Sequence, residues 1–356
     1  MSASSNQKFR IALSSDFLRP DGSLSYPMFD LAPLQNDERI EMEFVTATNG
    51  EMSGDVLKDF DALILLAPKF TRSSVVAESR LAVVARFGVG YDTVDVDACT
   101  EFGIGLAITP DGVRRPVAVS IITLMLALTS KLMVKDQLTR QGAAGFAQRS
   151  EHMGLGLIGK TLGSLGVGNI GAELFRLAAP FDLQFIAHDP YLNETQAREL
   201  NVELVSLDEL FLRSDILSIN CPLTESTWHI VSTDQLATMK PTAYLINTAR
   251  GPVVDQTALT KALQEQRIAG AGLDVLETEP PPLEDPILQL DNVILTPHAL
   301  CWTDQCFAGI GAADVKAVLA VMQGQVPVGL VNQEVLEHPN WQKKLANYRQ
   351  RFVGNE

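Results

Sequence analysis

A strand–helix–strand pattern near the middle of the chain constrains the fold more than any other feature. An apolar run over 162–167 predicts a short strand. Apolar side chains then recur at helical spacing over 169–179, and Pro180 ends the predicted helix. A second apolar run over 183–187 predicts another strand. Because parallel strands need a crossover between them, this pattern indicates a βαβ unit and hence an α/β fold.

Three glycines connect the first predicted strand to the helix with the spacing G-x-G-x-x-G: Gly166, Gly168 and Gly171. Gly166 permits a tight turn with positive φ, and Gly168 lets a pyrophosphate approach the backbone. Gly171 allows the helix to pack closely against the strand. The first helical residues, Asn169 and Ile170, would offer unpaired N–H groups to the phosphates.

An acidic residue, Asp189, directly follows the second predicted strand. With the glycine spacing and the helix, it completes the fingerprint of dinucleotide-binding units. Its carboxylate would accept hydrogen bonds from the adenosine ribose and repel a 2′-phosphate, so we expect NAD rather than NADP. The alternative is a glycine-rich turn in an ordinary α/β unit.

Length and charge narrow the class of protein. With 356 residues, 46% of them hydrophobic, the chain is long enough for two domains with substantial cores. The formal net charge of −15 disfavours binding to nucleic acid or to a membrane surface, and an anionic substrate needs a local cation. The longest apolar run, 117–128, is expected to be too short to cross a bilayer.

The cysteines and the first residues favour a cytoplasmic protein. The cysteines show no metal-binding spacing, which is typical of reduced thiols, and no metal site is predicted. They are Cys99, Cys221, Cys301 and Cys306. The first ten residues contain no apolar signal core.

The N-terminal part predicts a small parallel α/β domain. Its predicted strands cover 9–13, 42–46, 62–66 and a segment ending at Phe87. Ligands bind beyond the carboxyl ends of such strands, so the loops after the last two are candidate substrate contacts. The candidates are Val89, Gly90, Lys69 and Arg72; for the two cations the alternative is a solvated loop. The turn-rich segment 16–37 is expected to cover a surface.

The junction after this domain predicts a turn and a long helix. Residues 108–115 read as a Pro/Gly turn that crosses between domains, and Pro116 suits the first turn of the following helix. Residues 117–134 are apolar nearly all round, so this helix is buried in its domain, lies in a subunit interface, or both. We expect both, which predicts a homodimer. Residues 142–159 predict a loop.

The α/β alternation continues after Asp189, and polar residues follow the strands. The predicted strands cover 204–205, 216–220, 242–247, 268–275 and 293–296. The residues at their ends are Cys221, Pro222, Thr248, Ala249, Arg250, Asp274 and His298. Carboxyl ends of parallel strands share one edge, so these residues predict a ligand crevice. A helix is predicted over 304–322, and the polar tail after Gly324 is expected to lie on the surface.

The segment from Gly159 to His298 resembles the D-isomer-specific 2-hydroxyacid dehydrogenases. The matching pieces are GKTLGSLGVGNIG, NCPLTESTWHIV, LINTARGPVVDQTAL, GAGLDVLETEP and NVILTPHA, and GVGYDTVD near the N-terminus is also similar. The resemblance implies two doubly wound parallel-sheet domains. A Rossmann NAD-binding domain at 113–301 would be inserted in a flavodoxin-like substrate-binding domain at 1–112 and 302–356. The resemblance also implies a homodimer and hydride transfer between a 2-hydroxy acid and a 2-oxo acid.

Three residues sit where this family has its catalytic groups: Arg250, Glu279 and His298. A histidine can donate a proton to the developing alkoxide and take it back in the reverse reaction. A carboxylate beside it stabilises the imidazolium, and an arginine fork can bind the substrate carboxylate. The alternatives are a satisfied loop histidine, a surface cation and a solvated acid.

The resemblance also assigns the remaining site residues. The predicted cofactor contacts are Gly166, Gly168, Asn169, Ile170, Gly171, Asp189, Cys221, Pro222, Thr227, Thr248, Ala249, Arg250, Asp274 and His298. Asp274 either orients the nicotinamide or caps the next turn. The predicted substrate contacts are Val89, Gly90, Arg250, His298 and Trp302. Trp302 either forms a wall of the substrate pocket or packs between domains.

Some positions depart from the family pattern near the predicted domain junction. Val119 stands where many members have an acid, Phe146 stands where a tryptophan is common, and Arg114 with Arg115 is unusual. The sequence predicts an NAD-dependent dehydrogenase of a small D-2-hydroxy acid of the glyoxylate or hydroxypyruvate type. The alternatives are a dehydrogenase of a phosphorylated or sugar-derived acid and an NAD-sensing binding protein of the corepressor type.

Overall fold

The computed structural model of the chain describes residues 7–354, which divide into two compact units. The first unit combines the described residues up to Val113 with those from Thr303 onward, and the second is Arg114–Trp302. The assignment of substrate binding to 1–112 with 302–356, and of cofactor binding to 113–301, stays a prediction at this point.

The first unit contains a five-stranded parallel sheet with the order β2-β1-β3-β4-β5. Its strands are β1 Phe9–Ser14, β2 Ile40–Val45, β3 Ala62–Leu65, β4 Val83–Arg86 and β5 Gly105–Ala107. The helices between them are α1 Ala32–Gln35, α2 Gly54–Leu57 and α3 Val96–Glu101. The strand order is that of flavodoxin-like sheets.

The second unit contains a seven-stranded parallel sheet with the order β12-β11-β10-β9-β6-β7-β8. Its strands are β6 Thr161–Leu165, β7 Gln184–His188, β8 Glu203–Leu204, β9 Ile216–Ile219, β10 Tyr244–Asn247, β11 Gly270–Leu273 and β12 Val293–Leu295. Its helices are α4 Pro110–Thr129 (which begins in the first unit), α5 Leu132–Arg140, α6 Ala143–Ala147, α7 Asn169–Ala178, α8 Glu194–Glu199, α9 Leu207–Arg213, α10 Thr233–Thr238 and α11 Gln256–Gln264. The strand order reverses between β6 and β9, which is the doubly wound arrangement. The predicted fold class is confirmed.

Two C-terminal helices complete the first unit: α12 Asp304–Met322 and α13 Pro339–Tyr348. The predicted helix over 304–322 is confirmed, but the expectation that the tail lies on the surface is wrong. Trp341 is buried, and its indole N–H donates to the Ala82 carbonyl at 2.9 Å. The Tyr348 hydroxyl donates to Asp61 at 2.9 Å. A few aromatic anchors therefore hold a mostly polar segment in the core.

The turn-rich segment 16–37 is likewise more than a surface cover. Phe17, Phe29 and Leu34 are fully buried. The ring of Phe17 packs at 5.0 Å from that of Phe87, at the end of β4. These buried apolar residues are too few, among many turn residues, to produce a helical or strand periodicity. The sequence pattern therefore does not show that they are buried.

The predicted turn over 108–115 is wrong, because α4 begins at Pro110 and Pro116 lies inside the helix. A Cβ added to Gly112 would lie 2.6 Å from the Ile310 backbone nitrogen, so this glycine allows α4 to approach α12 closely. Tertiary packing thus overrides the local turn signal. The predicted loop over 142–159 also contains α6.

Helix α4 extends beyond the apolar run at 117–128, and α12 has the predicted length. Both α4 and α12 are long and apolar enough to cross a membrane by length and composition, which corrects the statement that the run at 117–128 is too short. In their most apolar windows, 50% of α4 and 56% of α12 is buried inside the protein. This burial is typical of core helices in globular units.

Candidate active site

The glycine turn between β6 and α7 has a separate steric reason for each glycine. Gly166 has φ +93°, and a Cβ there would lie 2.8 Å from the Cys221 backbone nitrogen. A Cβ on Gly171 would lie 2.7 Å from the Gly166 carbonyl oxygen. Gly168, by contrast, has nothing within 4 Å of an added Cβ. Two glycines therefore form the turn, and the third leaves its outer face open to a ligand.

The N-terminus of α7 is open to an anion. Gly168 is its N-cap, and no side chain among the described residues caps the first turn. The N–H groups at the start of a helix have no intrahelical acceptor, and the helix dipole places positive charge there. The residues present therefore fit the pyrophosphate of a dinucleotide.

Asp189 is tied to the glycine turn by hydrogen bonds. One carboxylate oxygen accepts from the Val167 backbone N–H at 2.7 Å, and the other accepts from the Tyr191 N–H at 2.8 Å. Each oxygen keeps a second lone pair. Asp189 can thus hold the turn and still accept hydrogen bonds from ribose hydroxyls.

The end of β9 contributes a structured loop. The Thr227 hydroxyl donates to the Pro222 carbonyl at 2.7 Å and accepts from the Thr224 N–H at 2.7 Å. Burial raises the pKa of the Cys221 thiol to about 11. A thiol with so high a pKa is a poor nucleophile, which argues against sulfur chemistry at Cys221.

At the ends of β9 and β10, two buried polar atoms lack a hydrogen-bond partner among the described residues: Asn220 Oδ1 and Thr248 Oγ1. The Asn220 amide nitrogen donates to Ser164 Oγ at 2.8 Å, which fixes the direction of the carbonyl group. Buried polar atoms without partners are costly, so they fit a ligand that supplies them. Sequence reasoning missed Asn220, although its position after a strand was a usable signal.

Arg250 sits on a turn shaped by the buried side chain of Asn247. Asn247 donates from Nδ2 to the Arg250 carbonyl at 2.9 Å and accepts from the Ala249 N–H at 3.0 Å. The Arg250 guanidinium donates to the Ala249 carbonyl at 2.7 Å. The next residue, Gly251, packs so closely on the segment before Glu279 that a Cβ would lie 1.9 Å from the Leu276 carbonyl oxygen.

His298 and Glu279 form a direct pair. His298 Nδ1 lies 2.7 Å from Glu279 Oε2, and Glu279 Oε1 accepts from the Leu276 N–H at 2.9 Å. Since an ionised carboxylate only accepts, Nδ1 carries the hydrogen and Nε2 is left for proton exchange. Burial raises the pKa of Glu279, but the hydrogen bonds from His298 and Leu276 and the charges of His298 and Arg250 outweigh it. The net pKa is lowered.

Asp274 is buried and supports the loop that carries His298. A single carboxylate oxygen accepts from the Thr296 hydroxyl at 2.6 Å and from the N–H groups of Ala299 at 3.0 Å and Leu300 at 3.1 Å. For this oxygen, the contacts favour the alternative that Asp274 caps the next turn. His298 itself has φ +53°, a conformation that the bonds to Asp274 stabilise.

The predicted substrate contacts fall in both units. Arg250, His298 and the half-exposed Trp302 belong to the second unit, whereas Val89 and Gly90 belong to the first. The structure therefore places Arg250, Glu279 and His298 together in the second unit. The candidates Val89 and Gly90 belong to the first unit.

Three of the additional cations, Lys69, Arg72 and Arg115, have carboxylate partners or exposed positions. Arg72 pairs with Glu101, and Arg115 lies 2.8 Å from Glu173. Lys69 is exposed, which agrees with the alternative that it lies in a solvated loop. Within residues 7–354 no cluster of three His, Cys, Asp or Glu side chains could hold a metal ion.

Comparison with known proteins decides the family. The family model described as D-isomer specific 2-hydroxyacid dehydrogenase, NAD binding domain, matches residues 122–299. The chain belongs to this family. It is 40% identical to a glyoxylate reductase of Korarchaeum cryptofilum over 283 residues, which cover 79% of this chain and 85% of the relative.

Solved structures of the same family agree along most of the chain. A glyoxylate reductase from Paecilomyes thermophila is similar with a TM-score of 0.77 and 27% identity, covering 92% of this chain and 99% of that one. A D-lactate dehydrogenase from Aquifex aeolicus, complexed with NAD and lactic acid, is similar with a TM-score of 0.76 and 29% identity. That similarity covers 90% of this chain and 99% of the other. The protein is therefore an NAD-dependent oxidoreductase of 2-hydroxy acids.

Proposed function

We propose that this dehydrogenase reduces glyoxylate or a similarly small 2-oxo acid with NADH, and that Arg250, Glu279 and His298 are its catalytic residues. The observation that carries the proposal is the 2.7 Å contact between His298 Nδ1 and Glu279. It orients a histidine with its second nitrogen available, in the same unit as an arginine on an adjoining turn. The relatives named glyoxylate reductase support the choice of substrate.

The chemistry divides between the cofactor and these side chains. When bound, NADH supplies the hydrogen and two electrons that reduce C2 of the oxo acid. The Arg250 guanidinium binds the substrate carboxylate as a planar fork and orients C2. His298 Nε2 donates a proton to the oxygen on C2, so the carbonyl becomes a hydroxyl group. Glu279 stabilises the imidazolium before this transfer and keeps its tautomer fixed.

The cofactor contacts predicted from the sequence remain part of this proposal. The open helix N-terminus at Gly168 would take the pyrophosphate, and Asp189 the adenosine ribose. The side-chain oxygens of Asn220 and Thr248, which have no hydrogen-bond partner among the described residues, would form hydrogen bonds with the same cofactor. Val89 and Gly90 of the first unit and Trp302 are proposed to contact the substrate.

Replacement of the proposed acid/base and anchor tests the function. We expect His298→Asn to lower kcat for glyoxylate about 10²- to 10⁴-fold. Asparagine tolerates the positive φ of this position but cannot supply Nε2. Arg250→Lys is expected to raise KM for glyoxylate, because the charge stays and the bidentate fork is lost.

Matched substitutions and a panel of acids complete this test. His152→Asn and Arg267→Lys make the same chemical changes away from the strand ends and serve as controls. Unaltered glyoxylate turnover in the His298 variant, with NADH still bound, would contradict the proposal. A parent that binds NADH tightly but turns over none of a broad set of 2-oxo acids would instead be an NAD sensor.

The location, the oligomeric state and the binding partners of the protein also belong to the proposal. We propose a cytoplasmic homodimer that associates through the second unit and binds neither nucleic acid nor membrane. The net charge of −15 supports the last two points. Two of the cations that could bind a substrate phosphate, Arg72 and Arg115, each pair with a carboxylate instead, which favours an acid without a phosphate.

A further inference from the structure

A second histidine–glutamate pair lies in the same unit and has no part in the proposed proton transfer. His229 Nε2 is 2.9 Å from Glu277 Oε1, and the His229 ring stacks on Trp228 with centroids 4.8 Å apart. His229 has φ +50°, so the backbone holds an unusual conformation at this position. The pair connects the loop that follows β9 to the segment just before Glu279.

Glu277 is also bonded reciprocally to the N-terminus of α11. Its Oε2 accepts from the Gln256 N–H at 3.1 Å, and its own N–H donates to the Gln256 side-chain oxygen at 2.9 Å. The Gln256 side-chain nitrogen donates to Asp285 at 2.6 Å. The carboxylate of Glu277 is thus shared between a helix start on one side and His229 on the other.

The same residues border the two turns that carry the proposed catalytic groups. The His229 N–H donates to the Pro252 carbonyl at 2.9 Å, two residues after Arg250. Gly251 packs on Leu276, and the Leu276 N–H donates to the Glu279 carboxylate at 2.9 Å. His229 therefore contacts the Arg250 turn through its backbone and the Glu279 segment through its ring.

We propose that His229 and Glu277 are a positioning pair that fixes the spacing between the Arg250 turn and the Glu279–His298 pair. This inference rests on the proposed function of those three residues. Catalytic groups must be held within fractions of an ångström of the productive geometry, and supporting hydrogen bonds provide that precision. Neither residue touches the substrate in this role.

The exposure of the pair argues for positioning over general stability. The side chains of His229 and Glu277 are 31% and 29% exposed, respectively. Partly solvated pairs of this kind contribute little to folding. Loss of the ring contact should therefore leave the fold in place and loosen the spacing of the two turns.

The test uses His229→Asn, because asparagine tolerates positive φ but is too short to reach Glu277. The backbone bond to Pro252 survives this substitution. His229→Gln is the rescue variant, since its amide nitrogen can reach the position of Nε2. His152→Asn is the matched control at a loop histidine elsewhere.

We expect His229→Asn to lower kcat for glyoxylate about tenfold or more, because small displacements of catalytic groups are costly. The rates are normalised to the number of NADH-binding sites measured by titration, and the Kd for NADH is expected to stay near the parent value. The primary isotope effect with NADH deuterated at the transferred position should rise as the hydride step slows. His229→Gln should restore most of kcat.

Hydrogen exchange gives a readout that does not depend on turnover. The amides of Gln256 and Glu277 should exchange faster in His229→Asn than in the parent and in His152→Asn, because the shared carboxylate loses one restraint.

Three results would overturn the proposal for the pair alone: parent-like kcat and isotope effect in His229→Asn, unaltered exchange at those amides, or no recovery in His229→Gln. A parent that reduces no 2-oxo acid would overturn the proposed function together with this inference.

Discussion

At the residue scale, carboxylates decide which nitrogen of a histidine is available. Glu279 binds Nδ1 of His298, whereas Glu277 binds Nε2 of His229. The proposed acid/base therefore has Nε2 free for a substrate, and the second histidine has the same atom occupied by a structural contact. Two pairs with the same residue types can thus have different roles in one unit.

The lowered pKa of Glu279 predicts a pH dependence of stability. A carboxyl group whose pKa is lower when folded contributes stability that is present above its unfolded pKa and is lost as pH falls through the folded value. We expect the parent to lose this contribution below about pH 4.5, the ordinary value for the group. In Glu279→Gln the free energy of unfolding should fall less steeply there.

Urea unfolding at several pH values between neutrality and acid measures this difference. The effect is small because the Glu279 side chain is 38% exposed, so parent and variant must be compared at each pH. His298→Gln should also flatten the slope, since it removes a hydrogen bond that lowers the Glu279 pKa. Identical slopes in the parent and Glu279→Gln would argue against the lowered pKa.

Asp189 predicts the preference between NAD and NADP. Replacement by alanine removes both the ribose acceptor and the two backbone bonds to Val167 and Tyr191. Asp189→Asn retains an acceptor but loses the charge that repels a 2′-phosphate. We expect the ratio of kcat/KM for NADH over NADPH to fall in both variants, with thermal stability lost mainly in Asp189→Ala. A ratio that stays at the parent value in Asp189→Asn would refute the electrostatic role.

The types and positions of Arg250, Glu279 and His298 could be predicted because each follows a strand or lies in a recognisable motif. Their supporting contacts could not. Asn247, Asp274 and the His229–Glu277 pair act through hydrogen bonds whose partners are set by the packing of separate strand ends. No local period in the sequence encodes such contacts. The position of Asn220 after a strand was visible in the sequence, but the lack of a partner for its side-chain oxygen was not.

At the element scale, the strength of the local signal separates the correct predictions from the wrong ones. The boundaries of α7 were predictable because a glycine turn starts it and Pro180 follows its end. The start of α4 was not predictable. The proline and glycine residues at 110–116 locally indicate a turn, but in the structure this segment is helical and Gly112 packs against α12. Helix α13 was missed because its buried residues, such as Trp341, are few in a polar sequence.

The glycine turn before α7 predicts opposite outcomes for two similar substitutions. Gly166→Ala places a Cβ 2.8 Å from the Cys221 nitrogen in a backbone with φ +93°, so we expect a lower Tm. Gly168→Ala meets no atom within 4 Å, so Tm should stay at the parent value. The methyl group would instead stand where the pyrophosphate approaches, which raises the Kd for NADH.

Thermal melts without cofactor and NADH titrations separate these effects. A Gly168→Ala protein with normal NADH affinity would show that the open face of this glycine does not receive the cofactor. A Gly166→Ala protein as stable as the parent would show that the turn can relax away from β9.

At the scale of the whole molecule, exposed apolar side chains favour association of two copies through the second unit. Five of them lie on the consecutive helices α4, α5 and α6: Val119, Leu126, Leu132, Met133 and Phe146. Leu132 and Met133 are 55% and 51% exposed. A chain with a net charge of −15 resists non-specific association, so such a patch indicates a specific partner surface. A second copy of the chain is the partner that we predict.

Light scattering coupled to size-exclusion chromatography tests this prediction directly. The parent should elute with twice the 38.7 kDa mass of one chain. Met133→Asp places a charge in the apolar surface and should shift the protein toward monomer, because an unpaired buried charge is costly at an interface. Leu283→Asp makes a comparable change at a leucine that is 84% exposed on a separate loop, and it should leave the mass unchanged. A monomeric parent would refute the predicted dimer. A Met133→Asp protein that remains dimeric would instead place the interface away from α4–α6.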